Sequence, residues 1–112
     1  GKVFVAMRIR WSGKADHDLE IAVIQCREKF GSIVATKFYR QVKSNEKYLL
    51  THPCIGKVEP LAESTYDPLT YRSLVVHEHY KIVYVIEEDD DVIRIVKFWD
   101  TRRNPVTLIE DI

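Results

Sequence analysis

The stretch from Tyr71 to Pro105 constrains the fold most, because it predicts three β-strands in a row. The predicted strands are Tyr71 to Glu78, Tyr80 to Glu87 and Val92 to Trp99. Each is dense in valine, isoleucine and aromatic residues, which pack well on a pleated surface. The connections between them are short, and short connections join antiparallel strands. The stretch therefore predicts an antiparallel meander.

An acidic run at 87–91 separates the second and third predicted strands. Five neighbouring carboxylates cannot be buried without partners, so the run predicts a solvated turn. It lacks the spacing and the glycine of a calcium-binding loop. No metal site is predicted here or elsewhere in the chain.

The first half of the chain predicts a strand and two amphipathic helices. Residues 3–11 alternate, with one apolar face and one face that turns basic at Arg8 and Arg10. Ser12 is a candidate N-cap for the first helix, and Gly31 suits the turn that ends it. Ser32 is a candidate cap for the second helix, which His52-Pro53 ends. The short link predicts an antiparallel helical hairpin.

The order strand, helix, helix and three strands predicts an α+β fold. Both helices must bury their apolar stripes, and one face of a single, mostly antiparallel sheet is the available partner. The other sheet face is then left to water or to a ligand. The segment Cys54 to Thr70 is long for a plain connection and indicates a functional edge or a short strand. We expect one domain over 1–112, with 1–6 as an N-terminal extension and 106–112 as a tail.

Composition narrows the function classes. Lys and Arg number 17, as do Asp and Glu, so the formal net charge is zero. This argues against coating nucleic acid through global charge, although a local basic groove remains compatible with it. Cys26 and Cys54 have no metal-ligand spacing and are expected to be reduced thiols, which indicates the cytoplasm. No apolar run is long enough to span a bilayer, and no signal peptide pattern appears.

Basic side chains are predicted to gather on the sheet face opposite the helices. Lys81 lies within a predicted strand of apolar residues and should not point under the helices, and the same holds for Arg94. With residues at the strand ends they form a predicted basic patch, which consists of Arg8, Arg10, Arg72, Lys81, Arg94, Arg102 and Arg103. The alternative is a solvated face that collects long basic side chains without any function.

An ordered set of short motifs resembles the RelE/ParE superfamily of bacterial toxins from toxin–antitoxin modules. The resemblance covers nearly everything from Met7 to Pro105. Besides an opening strand and a hydrophobic last strand, its motifs are Ser12, Ala15, Asp18 and Leu19, then His52-Pro53 and Gly56, then Arg72 and Leu74, then Tyr80-Lys81-Ile82-Val83-Tyr84, and last Asp100-Thr101-Arg102-Arg103. The resemblance implies a helical hairpin on an antiparallel sheet. It also implies an antitoxin protein as partner, in a hetero-oligomeric complex.

RelE-like members of this superfamily cut mRNA on the ribosome, without metal or cofactor. By position, the resemblance places Arg72, Lys81 and Arg102 or Arg103 in the set of cations that offsets charge on the phosphate. Further candidates are His77 or His79 for proton transfer, and Arg8, Arg10, Arg94 and Trp99 for binding. Two departures weaken this reading: no tyrosine follows Arg103, and the net charge is zero.

ParE-like members instead poison DNA gyrase, without catalytic residues of their own. The absence of a tyrosine after Arg103 and the zero net charge favour this branch slightly. A third reading is a degenerate, non-toxic module that uses the same sheet face for protein contact only. The three readings remain open at the level of the sequence.

Overall fold

The computed structural model describes residues 7–59 and 70–103. Its elements, in chain order, are β1 (Arg8–Trp11), α1 (Gly13–Phe30), α2 (Ser32–Thr51), β2 (Lys57–Val58), β3 (Arg72–His77), β4 (Tyr80–Glu87) and β5 (Val92–Asp100). The expectations for 1–6 and 106–112 lie outside the described residues. Within the part that is described, no helix has the length and hydrophobicity needed to cross a bilayer.

The strands form one sheet in the order β1-β5-β4-β3-β2. The predicted meander is confirmed, because β3 pairs with β4 and β4 with β5, both antiparallel. Strand β1 is parallel to β5. The short strand β2 lies inside the segment that was expected to connect α2 to the meander, and it pairs antiparallel with β3. The α+β class with a mostly antiparallel sheet is therefore confirmed.

Local signals account for the helical hairpin. The Ser12 hydroxyl accepts a hydrogen bond from the Ala15 N–H at 3.1 Å, as expected of an N-cap. Gly31 adopts φ 89°, a conformation that favours glycine, and this separates the helices. The prediction that Ser32 caps α2 is wrong, because Ser32 is the first residue of α2. The N-cap is Gly31, which has no side chain that could accept a hydrogen bond.

Both helices pack on one face of the sheet, which we call the helix face. Its core combines residues of α1, α2 and the central strands, among them Leu19, Phe38, Val42, Leu49, Ile82, Tyr84, Ile93 and Ile95. The 3.6-residue periodicity of the helices and the alternation of the strands place these apolar residues on the faces that meet. Their burial is the main source of stability for the hairpin-on-sheet arrangement.

The opposite face of the sheet, which we call the second face, is expected to be open to water or to a ligand, but its centre is buried. Val83, Val85 and Trp99 on this face are at most 2% exposed. Val83 and Trp99 form a second apolar cluster with Tyr71 and Val96. The β-branched and aromatic residues that build β4 and β5 supply apolar side chains to both faces, and those at the centre of each face are buried.

A buried tyrosine ties the segment after α2 to the sheet. The Tyr84 hydroxyl donates to the Pro53 carbonyl at 2.7 Å and accepts from the Gly56 N–H at 2.9 Å. Burial raises the pKa of this phenol. A Cβ on Gly56 would lie 2.6 Å from the Ser73 carbonyl oxygen and 2.7 Å from the Tyr84 hydroxyl, so only glycine fits there.

We expect Tyr84→Phe to lower the free energy of unfolding by about 1–3 kcal/mol, because the buried Gly56 N–H loses its acceptor. Urea unfolding followed by circular dichroism measures this change. Tyr39→Phe is the matched control, since Tyr39 is 42% exposed and should change stability by less than about 0.5 kcal/mol. Equal effects of the two substitutions would contradict the role given to the Tyr84 hydroxyl.

Candidate functional site

The sheet register divides the predicted basic patch into separate groups. Arg8 is paired with Val92 and Arg10 with Arg94, so the three arginines share one end of the second face. Lys81 is paired with Trp99 near the other end of β4 and β5. The expectation that Lys81 and Arg94 point away from the helices is therefore met, but they do not lie side by side.

The arginine end of the second face is balanced by acids. Arg94 donates to both carboxylate oxygens of Glu87, with Nε to Oε1 at 2.8 Å and Nη2 to Oε2 at 3.2 Å. These hydrogen bonds hold the pKa of Glu87 below its usual range and raise the pKa of Arg94. The acidic turn follows directly, and the Arg8 N–H donates to the Asp91 carbonyl. This end is mixed in charge rather than a basic groove.

Lys81, the central cation, is held by a carboxylate that is itself almost inaccessible. Lys81 Nζ lies 2.7 Å from Glu59 Oε2, and the Glu59 side chain is 3% exposed. The Lys81 side chain is 16% exposed. Glu59 follows β2 and is fixed there by its own N–H, which donates to the Tyr71 carbonyl. Lys81 thus links the β2 edge to the middle of the sheet.

Arg72 and His77 lie on the helix face and not with Lys81. Arg72 is paired with Tyr84, and its Nη1 donates to the Gly56 carbonyl at 2.9 Å. His77 packs edge-on against Phe38 of α2, with ring centroids 4.9 Å apart. Arg72 shares its face with Leu74 and Val76, which pack in the helix-face core. The register shift between Val75 and His77 brings His77 to the same face. Neither side chain is placed to act with Lys81 on one ligand.

His79 is exposed in the turn between β3 and β4, and its backbone carbonyl accepts from the Thr101 N–H at 2.6 Å and from the Thr101 hydroxyl at 2.9 Å. This contact fixes the turn against the end of β5. The imidazole forms no ion pair with a carboxylate among residues 7–59 and 70–103. The backbone of His79 therefore has a structural role, as is usual for a turn residue.

The two arginines after β5 differ in their partners. Arg102 binds Asp100 through Nε to Oδ1 at 3.0 Å and Nη2 to Oδ2 at 2.9 Å. These hydrogen bonds lower the pKa of Asp100. The Arg103 guanidinium instead lies 5.2 Å from the centroid of the Trp99 ring. Trp99 is 2% exposed, so its ring is a packing element and is not open for stacking on a nucleobase.

A buried ion pair was missed by the sequence analysis. Lys97 Nζ lies 2.9 Å from Asp18 Oδ2, and the Lys97 side chain is 2% exposed. The ammonium also lies 5.7 Å from the Trp99 ring centroid. The register shifts at Val83/Tyr84 of β4, where Val96 of β5 is an extra residue, so strict alternation fails beyond this point. The signal available in the sequence was a lysine within a predicted strand of apolar residues, as it was for Lys81.

Asp18 also lines a small cavity of about 230 Å³ between α1 and the end of the sheet. Tyr80, Asp100 and Arg103 lie on its opposite side. Burial, and then the charge of Asp100, raise the pKa of Tyr80. The described residues contain no group of His, Cys, Asp and Glu side chains that would hold a metal ion.

Most cations of the predicted site are thus already engaged. Lys81, Arg94 and Arg102 each bind a carboxylate, and Arg72 binds a backbone carbonyl. Arg8, Arg10 and Arg103 have no carboxylate partner within 7–59 and 70–103. Chemically, the second face offers structural ion pairs and scattered guanidiniums, and not a converging set of cations around one phosphate.

Comparisons with known proteins agree with this fold. A family model described as the ParE toxin of the type II toxin–antitoxin system parDE matches residues 9–105. The structure is similar to a chain of the chromosomal ParDE toxin–antitoxin system from P. aeruginosa, with TM-score 0.65, 19% identity, and coverage of 83% of this chain and 94% of that one. It is also similar to a chain of the archaeal RelE–RelB complex from Pyrococcus horikoshii OT3, with TM-score 0.60, 16% identity, and coverage of 89% and 100%. At these identities the structural similarities concern the fold. No curated protein sequence matches significantly.

Proposed function

The chain belongs to the ParE toxin family of type II toxin–antitoxin systems, and on this basis we propose that it arrests growth by binding DNA gyrase. Cleavage of mRNA on the ribosome is the second candidate activity. The two differ in what they require of the sheet. A ribonuclease needs cations that are available to the phosphate, whereas a protein-binding poison needs only a complementary surface.

The observation that carries this proposal is the ion pair of Lys81 with the buried carboxylate of Glu59. When the 2′-hydroxyl attacks the scissile phosphate, negative charge develops on the phosphate oxygens. Only cations that can reach the phosphate, and that are already in place before the reaction, stabilise this charge. Lys81 is already 2.7 Å from a carboxylate that is 3% exposed. Arg72 lies on the other face of the sheet, and Arg102 is bound by Asp100. Lys81 and Arg102 thus bind carboxylates and Arg72 binds the Gly56 carbonyl, whereas Arg103 has no carboxylate partner within 7–59 and 70–103.

Arg103 is also the observation that favours the second candidate. Its guanidinium lies over Trp99 and has no carboxylate partner in the described parts of the chain. A single arginine would stabilise phosphate charge weakly, since the RelE-like set requires several cations and a proton-transfer group. The degenerate, non-toxic module is the remaining alternative, and it predicts no growth arrest at all.

We propose a cognate antitoxin as the partner that holds the chain inactive. The two similar solved structures are a ParDE toxin–antitoxin system and a RelE–RelB complex. By analogy, this chain would form a hetero-oligomer in the cytoplasm with a small protein encoded next to it. Co-purification of the two proteins after expression of the gene pair is the expected result.

Production of the chain in bacteria without antitoxin tests the choice of target. We expect growth arrest with accumulation of DNA double-strand breaks, while the 5′ ends of mRNA keep the pattern of uninduced cells. Pulsed-field electrophoresis measures the breaks, and sequencing of RNA 5′ ends measures cleavage. Cells that also produce the antitoxin are the control and should show neither change.

Two outcomes would contradict the gyrase proposal. New RNA ends at translated codons, without DNA breaks, would assign the ribonuclease activity instead. Normal growth with folded, soluble protein would leave the non-toxic binding module as the surviving reading.

A further inference from the structure

The tip of the helical hairpin exposes large apolar side chains. We define the hairpin tip as Phe30, Ile33 and Val34, which flank Gly31 where α1 passes into α2. Their exposed fractions are 65%, 76% and 44%. Phe30 and Ile33 are more exposed than any other large apolar residue of the described chain. Such a cluster at the end of a small protein marks a contact surface.

The charge around the hairpin tip is one-sided. The last turn of α1 carries Arg27 and Lys29, and the first turn of α2 contains no acid. Lys37 and Arg40 follow on α2, so residues 27–40 contain four cations and one acid, Glu28. None of these five side chains has an ion-pair partner within the described residues. The chain as a whole is neutral, so this excess of positive charge is local.

The hairpin tip is therefore apolar at its centre and basic at its rim. A matching partner surface presents apolar side chains surrounded by carboxylates, because charge complementarity sets the register of an interface and its apolar centre supplies most of the affinity. This combination distinguishes the occupant from a second copy of the chain. Two copies in contact through their tips would bring like charges together.

We propose that the hairpin tip is the surface through which the toxin contacts its protein target. This inference rests on the proposed function and adds the chemistry of the contact, which is an apolar target surface rimmed by acids. The tip is built by the helices alone, whereas the ion pairs of Lys81, Arg94 and Arg102 belong to the sheet. Contact through the tip thus leaves the cations of the sheet in their structural roles.

Inhibition of purified DNA gyrase by the purified chain tests this inference. We expect Phe30→Ser/Ile33→Ser to raise the concentration needed for half-inhibition of supercoiling about tenfold or more, because exposed aromatic anchors dominate interface energetics. Lys37→Glu should raise it less, and the loss should shrink at high salt. Val75→Ser is the matched control, since Val75 is 61% exposed on the second face, away from the tip. It should inhibit like the unchanged chain.

Circular dichroism spectra and melting temperatures establish that each variant is folded, and sedimentation velocity gives its oligomeric state. Equal inhibition by the tip variant and the unchanged chain would overturn the role of the tip and leave the gyrase proposal intact. Failure of the unchanged chain to inhibit gyrase would overturn the proposed function itself. A dimer that the tip variant converts to a monomer, with inhibition unchanged, would assign the tip to self-association and overturn the inference.

Discussion

Lys81→Met is expected to lower the free energy of unfolding by about 3–5 kcal/mol. The substitution removes the ammonium 2.7 Å from the Glu59 carboxylate, which is 3% exposed. Without this ammonium the carboxylate loses a close charge partner but keeps its desolvation cost, and neither side chain is exposed enough for solvent to replace the contact. Guanidinium unfolding followed by tryptophan fluorescence measures the change.

Two further variants make this expectation specific to the pair. Lys57→Met removes an exposed lysine from β2 and should alter stability by less than about 0.5 kcal/mol. Lys81→Met/Glu59→Gln removes both charges and should recover most of the lost stability, because removing both charges removes the desolvation cost as well. If Lys81→Met costs no more than Lys57→Met, the pair does not hold β2 to the sheet.

Asp18→Asn is expected to have the second-largest effect, a loss of about 3 kcal/mol. The Lys97 side chain is 2% exposed and lies 2.9 Å from the Asp18 carboxylate. The amide keeps the size of the carboxylate but not its charge, so the buried ammonium loses that compensation. Asp18 is 23% exposed and the Trp99 ring lies near the ammonium, which places the loss at the lower end for a buried pair.

Glu20→Gln is the control for Asp18→Asn, since Glu20 is an exposed acid one half-turn further along α1. It should leave the unfolding midpoint almost unchanged. Denaturant titration of both variants at neutral pH gives the comparison. A loss in Asp18→Asn no larger than in Glu20→Gln would mean that another group compensates Lys97.

The periodicity of apolar residues was sufficient to predict the helices, the central strands and the face of the sheet on which the helices pack. The apolar stripe of Tyr80, Ile82, Tyr84 and Ile86 faces the helices as its alternation indicates, and Lys81 faces the other way. The cap at Ser12 and the positive φ of Gly31 follow from local chemistry that needs no tertiary information. These signals act over a few residues, which is why the sequence reveals them.

The partners of the charged residues could not be predicted in the same way. Glu59 and Lys81 are 22 positions apart, and Asp18 and Lys97 lie on the first helix and the last strand. Periodicity gives the face of a residue but not the carboxylate that the fold brings to it. The extra residue Val96 in β5 also changes which side chains face the helices, so Phe98 packs in the helix-face core and Trp99 on the second face.

The position of Arg72 was within reach of the pattern. Arg72, Leu74 and Val76 alternate on one face of β3, and the two apolar residues mark that face as the one under the helices. The resemblance of Arg72 and Leu74 to a superfamily motif instead implies that Arg72 belongs to the set of cations around the phosphate. Its hydrogen bond to the Gly56 carbonyl shows a structural use of the guanidinium.

The most direct test of whether the sheet cations hold the fold or act on RNA is growth arrest by Lys81→Met/Glu59→Gln. This variant should remain folded, and it lacks the cation that a ribonuclease would require at the centre of the sheet. Produced without antitoxin at the level of the unchanged chain, it is predicted to stop growth to the same extent. Normal growth of cells that contain the folded, soluble variant would contradict the structural role of Lys81 and favour a catalytic one.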